Sequence, residues 1–251
     1  MSSSYGQYCP LALATEVLCQ RWTILVISRL LDGCTRFNSI HRGLPKMSPS
    51  LLSQRLAELE SAGIVQRRQS VDHAGYGYFL TQSGWDLEDI VMRLAVWGQN
   101  WGREMSNDDL DPAFLAWSMH LRMDVDAMPD GALVIEFCFS GIPEYGKAFW
   151  LLKEGQRIDM CLKDPGLEVD LVVNGDLRVF IEAWRGFREL RQEIRCGSIV
   201  LNGPDSLCRS FPDWLLLSSL SPYERKRNGR ERTLAREQCV DEEAPVATSA
   251  R

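Results

Sequence analysis

The stretch Ser48-Pro49-Ser50-Leu51-Leu52-Ser53-Gln54-Arg55-Leu56-Ala57-Glu58-Leu59-Glu60-Ser61-Ala62-Gly63 reads as one helix with both ends punctuated. Ser48 can accept a backbone hydrogen bond as N-cap, and Pro49 suits the first helical position because its missing N–H is an orphan there anyway. Gly63 can take the left-handed conformation that closes a helix. There is no capping box, since Leu51 stands at the third helical position. At about 100° per residue, Leu52, Leu56 and Leu59 share one narrow stripe flanked by Leu51 and Arg55. The opposite side carries Ser50, Ser53, Gln54 and Ala57, where an ordinary surface helix carries Lys and Glu. Such an outer face suits a helix that slides into a groove. Arg55, beside the stripe, can join the polar face or pair internally with an acid.

The segments on either side place this helix in a larger motif. Upstream, Pro10–Cys19 and Trp22–Leu31 have helical apolar spacing, and Phe37–Arg42 is a short helix ended by the turn Gly43-Leu44-Pro45-Lys46-Met47. A short helix, a tight turn and a longer capped helix outline a helix-turn-helix. Downstream, Ile64–Ser70 and Tyr76–Leu80 have strand composition around the loop Val71-Asp72-His73-Ala74-Gly75, giving a wing hairpin. Between Arg21 and Leu80 stand Arg21, Arg29, Arg36, Arg42, Lys46, Arg55, Arg67 and Arg68 against Asp32, Glu58, Glu60 and Asp72, about +4 in a chain of net charge −6. Local positive charge of this kind is what phosphate contacts need. Thr81 can cap a helix from Gln82 to Met105, whose residues Leu87, Ile90, Val91, Leu94, Trp97 and Trp101 recur at three- and four-residue steps. That stripe is wider than a small domain needs to cover, so it is the candidate dimer interface; the other reading packs it on the downstream half.

At 251 residues with 45% hydrophobic content, the chain can hold two domains. The polar, acidic segment Ser106–Pro112 is the best boundary, dividing 9–107 from 113–222, with a charged and weakly apolar tail at 223–251 expected to be disordered. Neither a signal peptide nor a membrane span is evident, so the expectation is a soluble, cytoplasmic protein without a membrane partner. The 8 cysteines form no Cys-x-x-Cys pair and only His41, His73 and His120 could join them, so no metal site or cofactor is expected. No nucleophile elbow or phosphate loop occurs, and the chain is not read as an enzyme. After the boundary come a helix at 113–123, strands at 132–140, 147–153, 157–162 and 169–173, and a turn at Asn174-Gly175-Asp176. A helix from Leu177, a short helix at 187–193, a strand at 198–202 and a final helix at 205–217 complete an α+β domain.

Residues 8–105 resemble the HxlR-type winged helix-turn-helix transcriptional regulators of bacteria. The resemblance is carried by Tyr8-Cys9-Pro10, Arg21-Trp22-Thr23-Ile24-Leu25, Arg36-Phe37-Asn38-Ser39-Ile40, Met47 to Leu56, Leu59 to Val65 and Tyr78 to Gly84. Gly75-Tyr76-Gly77 departs from the pattern in the return strand of the wing. The resemblance implies a homodimer on double-stranded DNA, reading a pseudo-palindromic operator with one recognition helix per subunit in the major groove. Ser50, Ser53 and Gln54 then become candidates for base edges, Gln54 because an amide can pair bidentately with adenine. Ser48, Arg36, Arg42, Lys46, Arg67, Arg68 and His73 become candidates for phosphate or wing contact. Glu58 and Glu60 are expected away from the backbone.

Cys9 matches a cysteine that several members use as a redox sensor. A reactive thiol needs access and a lowered pKa, so Cys9 is either a switch or an inert buried thiol.

The C-terminal half resembles sterol-carrier-protein-like domains, on Phe137-Cys138-Phe139-Ser140-Gly141, Trp150-Leu151-Leu152, Val169-Asp170-Leu171 and Gly197 to Asp205. That implies a twisted sheet with helices over one face and a small hydrophobic ligand between them. Phe139, Trp150, Met160, Phe180, Ile181 and Trp184 could line such a tunnel or be plain core. The competing function is a lipid or hydrophobic-ligand carrier in which the helix-turn-helix is an interaction module. A pure carrier would have no reason to keep a basic, small-polar recognition face.

Overall fold

A computed structural model describes residues 4–70, 75–142 and 147–227. The N-terminal half begins with helices α1 (Pro10–Leu18), α2 (Thr23–Leu31), α3 (Phe37–Arg42) and α4 (Pro49–Ser61). An antiparallel ribbon of β1 (Val65–Gln69) and β2 (Tyr76–Leu80) follows, then α5 (Gln82–Trp85) and α6 (Glu88–Trp101). Helix α4 has the ends expected of it. The Ser48 hydroxyl accepts from the Leu51 N–H at 3.3 Å, and Gly63 sits at φ +71°. Its stripe Leu52, Leu56 and Leu59 is fully buried beside Val26, Ile27 and Leu30 of α2 and Ile40, Leu44 and Met47 around the turn. Each such side chain contributes about 1.5–3 kcal/mol by leaving water. This core fixes how α4 presents its other face.

The helix expected over 82–105 is two helices that break at Asp86-Leu87 and end at Trp101. Thr81 does cap the first, accepting from the Gly84 N–H, and its hydroxyl donates to the Gly63 carbonyl at 2.6 Å. Gly84 lies so close to the Ile64 carbonyl that a Cβ there would collide with it. The short helix is thus pinned to the strand end, and the chain must re-aim before α6.

The C-terminal half opens with α7 (Pro112–His120), which Asp111 caps by accepting from the Ala113 and Phe114 N–H groups. A five-stranded sheet follows in the order β5-β4-β3-β6-β7, from β3 (Leu133–Ser140), β4 (Ala148–Glu154), β5 (Arg157–Cys161), β6 (Leu171–Asp176) and β7 (Ile199–Asn202). Only β3 and β6 run parallel; the other neighbours are antiparallel. Helices α8 (Leu177–Trp184), α9 (Leu190–Arg195) and α10 (Asp205–Trp214) share one apolar core with α7 and one face of the sheet.

Four sequence expectations are corrected here. Asn174-Gly175-Asp176 is not a turn but the end of β6, because parallel pairing with β3 carries the strand to Asp176, whose carboxylate then caps α8. The helix expected at 187–193 spans Leu190–Arg195, started by the Glu189 side chain. The last helix stops at Trp214 rather than at Leu217, which has φ +54°. Residues 223–227 belong to the folded body: the Lys226 N–H donates to the Asn100 carbonyl at 2.9 Å, and Arg225 pairs with Glu104. The rest of the expected tail, 228–251, lies outside the described residues. No single helix among the described residues is long and apolar enough to cross a membrane.

Candidate nucleic-acid interface

The outer face of α4 is built as the sequence suggests. Ser48, Ser50, Ser53, Gln54 and Ala57 are all exposed, and the Ser48 and Ser50 hydroxyls lie 3.2 Å apart. One turn further on, the face acquires a negative charge. Glu58 accepts from the Gln54 amide at 2.9 Å and pairs with Arg55, which also donates to the Arg21 carbonyl at 2.9 Å. Desolvation works against the Glu58 charge, but the bonds from Gln54 and Arg55 outweigh it and hold this carboxyl below its ordinary range. Glu58 therefore does not point away from the recognition face, contrary to expectation. For Gln54 to read a base, its amide must exchange Glu58 for the DNA.

The basic surface is smaller than the count of residues suggests. Arg55 is held internally, and Arg29 is buried on α2, paired with Asp32 at 3.3 Å. Burial pulls the Arg29 guanidinium below its ordinary pKa range while Asp32 opposes the shift. Arg36 begins α3, Arg42 ends it, and both are exposed. Lys46 is exposed but already donates to the Asp108 carbonyl at 2.6 Å, tying the turn to the linker. On the ribbon, Arg67 lies over the Tyr76 ring at 4.9 Å and Arg68 over the Phe79 ring at 4.1 Å. Adjacent strand residues leave from opposite faces, so these two cations flank the ribbon on both sides. Stacking holds each guanidinium in place without using its N–H donors. His73 lies outside the described residues.

The proposed dimer stripe divides. Leu87 and Val91 pack inward on the N-terminal core and are not free for a partner. Ile90, Leu94, Trp97 and Trp101 stay 48%, 47%, 62% and 46% exposed, spaced four, three and four residues apart along one face of α6. Helix α1 buries none of its residues and exposes Leu11 and Leu13. Cys9 precedes α1, fully exposed, and hydrogen bonds from the Ala12 and Leu11 N–H groups lower its thiol pKa.

The tunnel expectation is corrected by side-chain direction and by packing. Phe149 and Leu151 point to the helices, so Trp150 between them leaves from the other face of the sheet. It is 8% exposed, yet it is no part of the helix-covered core. On the helix side, Phe139, Phe149, Phe137 and Phe180 fill the space ring against ring, with neighbouring centroids 4.8 to 6.5 Å apart. Met160, Ile181 and Trp184 pack around them. These side chains are core.

Two residues that join the halves escape a sequence reading. Trp117 of α7 is buried in the N-terminal core, with the Arg29 guanidinium 4.1 Å from its ring. Gln99 of α6 is 1% exposed and donates to the Arg185 carbonyl at 3.0 Å and the Leu220 carbonyl at 3.3 Å, while its oxygen accepts from Arg185 at 2.8 Å. The available signal for Gln99 was the amide pair Gln99-Asn100 between Trp97 and Trp101; for Trp117 there was none.

Residues 17–106 match the family of HxlR-like helix-turn-helix proteins. The uncharacterized HTH-type transcriptional regulator YvaP of Bacillus subtilis strain 168 is 34% identical over 112 residues, which cover 44% of this chain and 96% of that protein. The HTH-type transcriptional regulator YodB of the same organism is 34% identical over 91 residues, covering 36% of this chain and 81% of YodB. The solved reduced form of YodB shares 30% identity over 40% of this chain and 100% of that one, with a TM-score of 0.35.

Proposed function

We propose, since the chain belongs to the HxlR-like helix-turn-helix family and is a transcriptional regulator of that type, that it acts as a homodimer reading a pseudo-palindromic operator through α4. The observation that carries this reading is the outer face of α4: Ser50, Ser53 and Gln54 exposed, unhindered by bulk and held by a buried leucine stripe. Ser48, Arg36, Arg42, Lys46, Arg67 and Arg68 would contact phosphates on either side, and His73 is assigned to the wing on sequence alone. Ile90, Leu94, Trp97 and Trp101 would join the two copies, with the apolar side of α1. A contiguous exposed apolar face of this size marks an interaction surface. Footprinting on DNA upstream of the protein's own gene tests the reading. A protected site of two half-sites about one helical turn apart is expected; no protection at any salt concentration, from folded protein, would overturn it.

The C-terminal half, 113–222, is assigned a sterol-carrier-like sensing role for a small hydrophobic ligand. What supports this is a sheet with its helices gathered on one face and two direct ties, Trp117 and Gln99, to the DNA-binding half.

A second reading rests on Cys9, which is exposed and has a lowered pKa. A thiolate favoured by backbone N–H groups at a helix start is the reactive kind. If it is a switch, diamide releases the wild type from DNA and leaves Cys9→Ser bound. An unchanged response in the mutant removes Cys9 from the mechanism.

A further inference from the structure

We propose that the cleft between α9, β7 and α10 binds an amphipathic monocarboxylate, a chain with an acid head and an apolar tail. This rests on the reading that the C-terminal half senses a hydrophobic ligand, and it moves the site away from the aromatic core. The cleft has a volume of about 600 Å³, within the roughly 300–1,000 Å³ of small-molecule sites. Its floor is apolar, formed by Ile194, Leu201 and Pro212, and its rim carries Arg191, Arg195 and Arg209. A second cleft of about 440 Å³ shares Arg191 and Pro212 and runs on to Leu217, the residue with φ +54°. The two clefts meet at Arg191 and Pro212, where Arg191 of α9 crosses to Asp213 of α10 in an ion pair.

That crossing pair decides the ligand class. Arg191 and Asp213 are about half exposed, Arg195 meets Glu189 at 3.4 Å, and Arg209 meets Asp205 at 3.8 Å, all on the surface. Exposed pairs of this kind contribute about 0–1 kcal/mol each. A ligand carboxylate can therefore take Asp213's place on the Arg191 fork at little cost, exchanging like for like in a geometry that guanidinium favours. The gain then comes from the tail, which leaves water against Ile194, Leu201 and Pro212. Within α10, Pro212 has no N–H for the Cys208 carbonyl, so the helix is already loosened where the groove passes. A neutral lipid has no group to take the place of the Asp213 carboxylate on Arg191, and a multiply charged head group would meet Asp205 as well.

The test is calorimetric titration of the full chain with dodecanoate and, separately, with dodecanol. Dodecanoate should bind, and dodecanol, which shares the tail, should bind about tenfold more weakly or worse. Arg191→Gln should weaken dodecanoate by about the same factor and leave dodecanol unchanged. Cys208→Trp, which fills the cleft, should abolish both. The proposal is overturned if wild type does not bind dodecanoate, if both ligands bind equally, or if Arg191→Gln matches wild type. Should Cys208→Trp fail to fold, Arg191→Gln still decides, because its side chain is on the surface. A gel shift with and without dodecanoate separates the two layers. Operator binding by a protein that ignores dodecanoate sinks the groove and leaves the regulator. Dodecanoate bound in the groove without effect on DNA sinks the sensing role and leaves the groove.

Discussion

Replacing Trp117 by alanine should destabilise a domain to which the residue does not belong in sequence. Trp117 sits on α7, past the acidic linker, yet its indole is 4% exposed within the N-terminal core. Truncating a buried Trp costs about 3–5 kcal/mol. A desolvated cation–π contact is worth about 2 kcal/mol or more, and Arg29 loses its contact 4.1 Å from that ring. Its Nε and Nη1 already have no hydrogen-bond partner among the described residues. Water entering the new cavity can solvate the guanidinium and return part of that loss, so a total of about 3–5 kcal/mol is expected rather than the sum.

Gly43 supplies the internal check. A Cβ there would stand 2.6 Å from the Arg29 Cδ and 2.7 Å from the Trp117 ring. Gly43→Ala should therefore cost about 1–3 kcal/mol by overpacking, and much of that should vanish once the indole is gone. Urea denaturation followed by far-UV circular dichroism, on both single mutants and the double mutant, measures the coupling. A favourable interaction of about 1–2 kcal/mol is expected for this pair. Additive losses, or a Trp117→Ala that shifts only the transition of the C-terminal half, would refute the claim that α7 completes the N-terminal core.

Gln54→Ala should cost about 1–3 kcal/mol on the cognate site and little on random DNA in a competition gel shift, whereas Arg68→Ala should weaken both and flatten the salt dependence by about one unit of slope. Equal losses on all sequences for Gln54→Ala would show that it reads no base. Leu94→Glu with Trp97→Glu should give a monomer in sedimentation and weaken operator binding; a dimer that survives both places the interface elsewhere. Burial lowers the His120 pKa against the hydrogen bond to the Trp117 carbonyl, so the unfolded chain, with His near 6.5, takes up the proton first. Stability present above about pH 6.5 should thus fall as pH drops through the lowered folded value, and His120→Gln should flatten that limb in pH-dependent denaturation. Gln99→Leu should leave a shortened protein response, with operator affinity near wild type but no effect of any ligand that binds the C-terminal half, read by gel shift.

What the sequence made legible is what local chemistry controls. Ser48, Pro49 and Gly63 punctuate α4 by rules that involve no distant residue, and its leucine stripe needs only a period. The break at Asp86-Leu87 was not legible, because it follows from Gly84 resting on the Ile64 carbonyl across the fold. Asn174-Gly175 looked like a turn until pairing with Cys138 and Phe139 drew it into a strand. Trp150 was misplaced although parity with Phe149 and Leu151 could have set its face. The interface was overcounted for a similar reason: charge is visible in sequence, but burial of Arg29 and the internal pairing of Arg55 are not. The groove at Arg191 and Pro212 joins segments about twenty residues apart, which no motif announces.

The positions of the two ties bear on how an effector could act. Gln99 leaves α6 two residues after Trp97 and two before Trp101, both on the exposed apolar face. Its amide reaches the Leu220 carbonyl and, at 3.4 Å, the Tyr223 carbonyl. The same segment begins at Leu215 and Leu217, which line the extension of the groove, and is anchored midway where the Ser218 N–H donates to the Trp184 carbonyl at 3.0 Å. A ligand seated on Arg191, which the first cleft shares with the one that Leu217 lines, therefore acts beside a strap of a few residues whose far end is bonded to the helix assigned to dimerisation. Because the Gln99 amide is buried, it cannot exchange these carbonyls for water, and leaving one unpaired costs about 1–3 kcal/mol. A shift of the strap must then either move α6 with it or meet that cost. In the proposed dimer, moving α6 would change the separation of the two α4 helices, and operator affinity would depend on that separation matching the half-site spacing. Trp117, by contrast, ties α7 to α2 beneath the helix-turn-helix, where displacement would disturb the core rather than the dimer. The Gln99 tie is thus the one suited to carry a signal, and the Trp117 tie the one suited to hold the halves in place while it does.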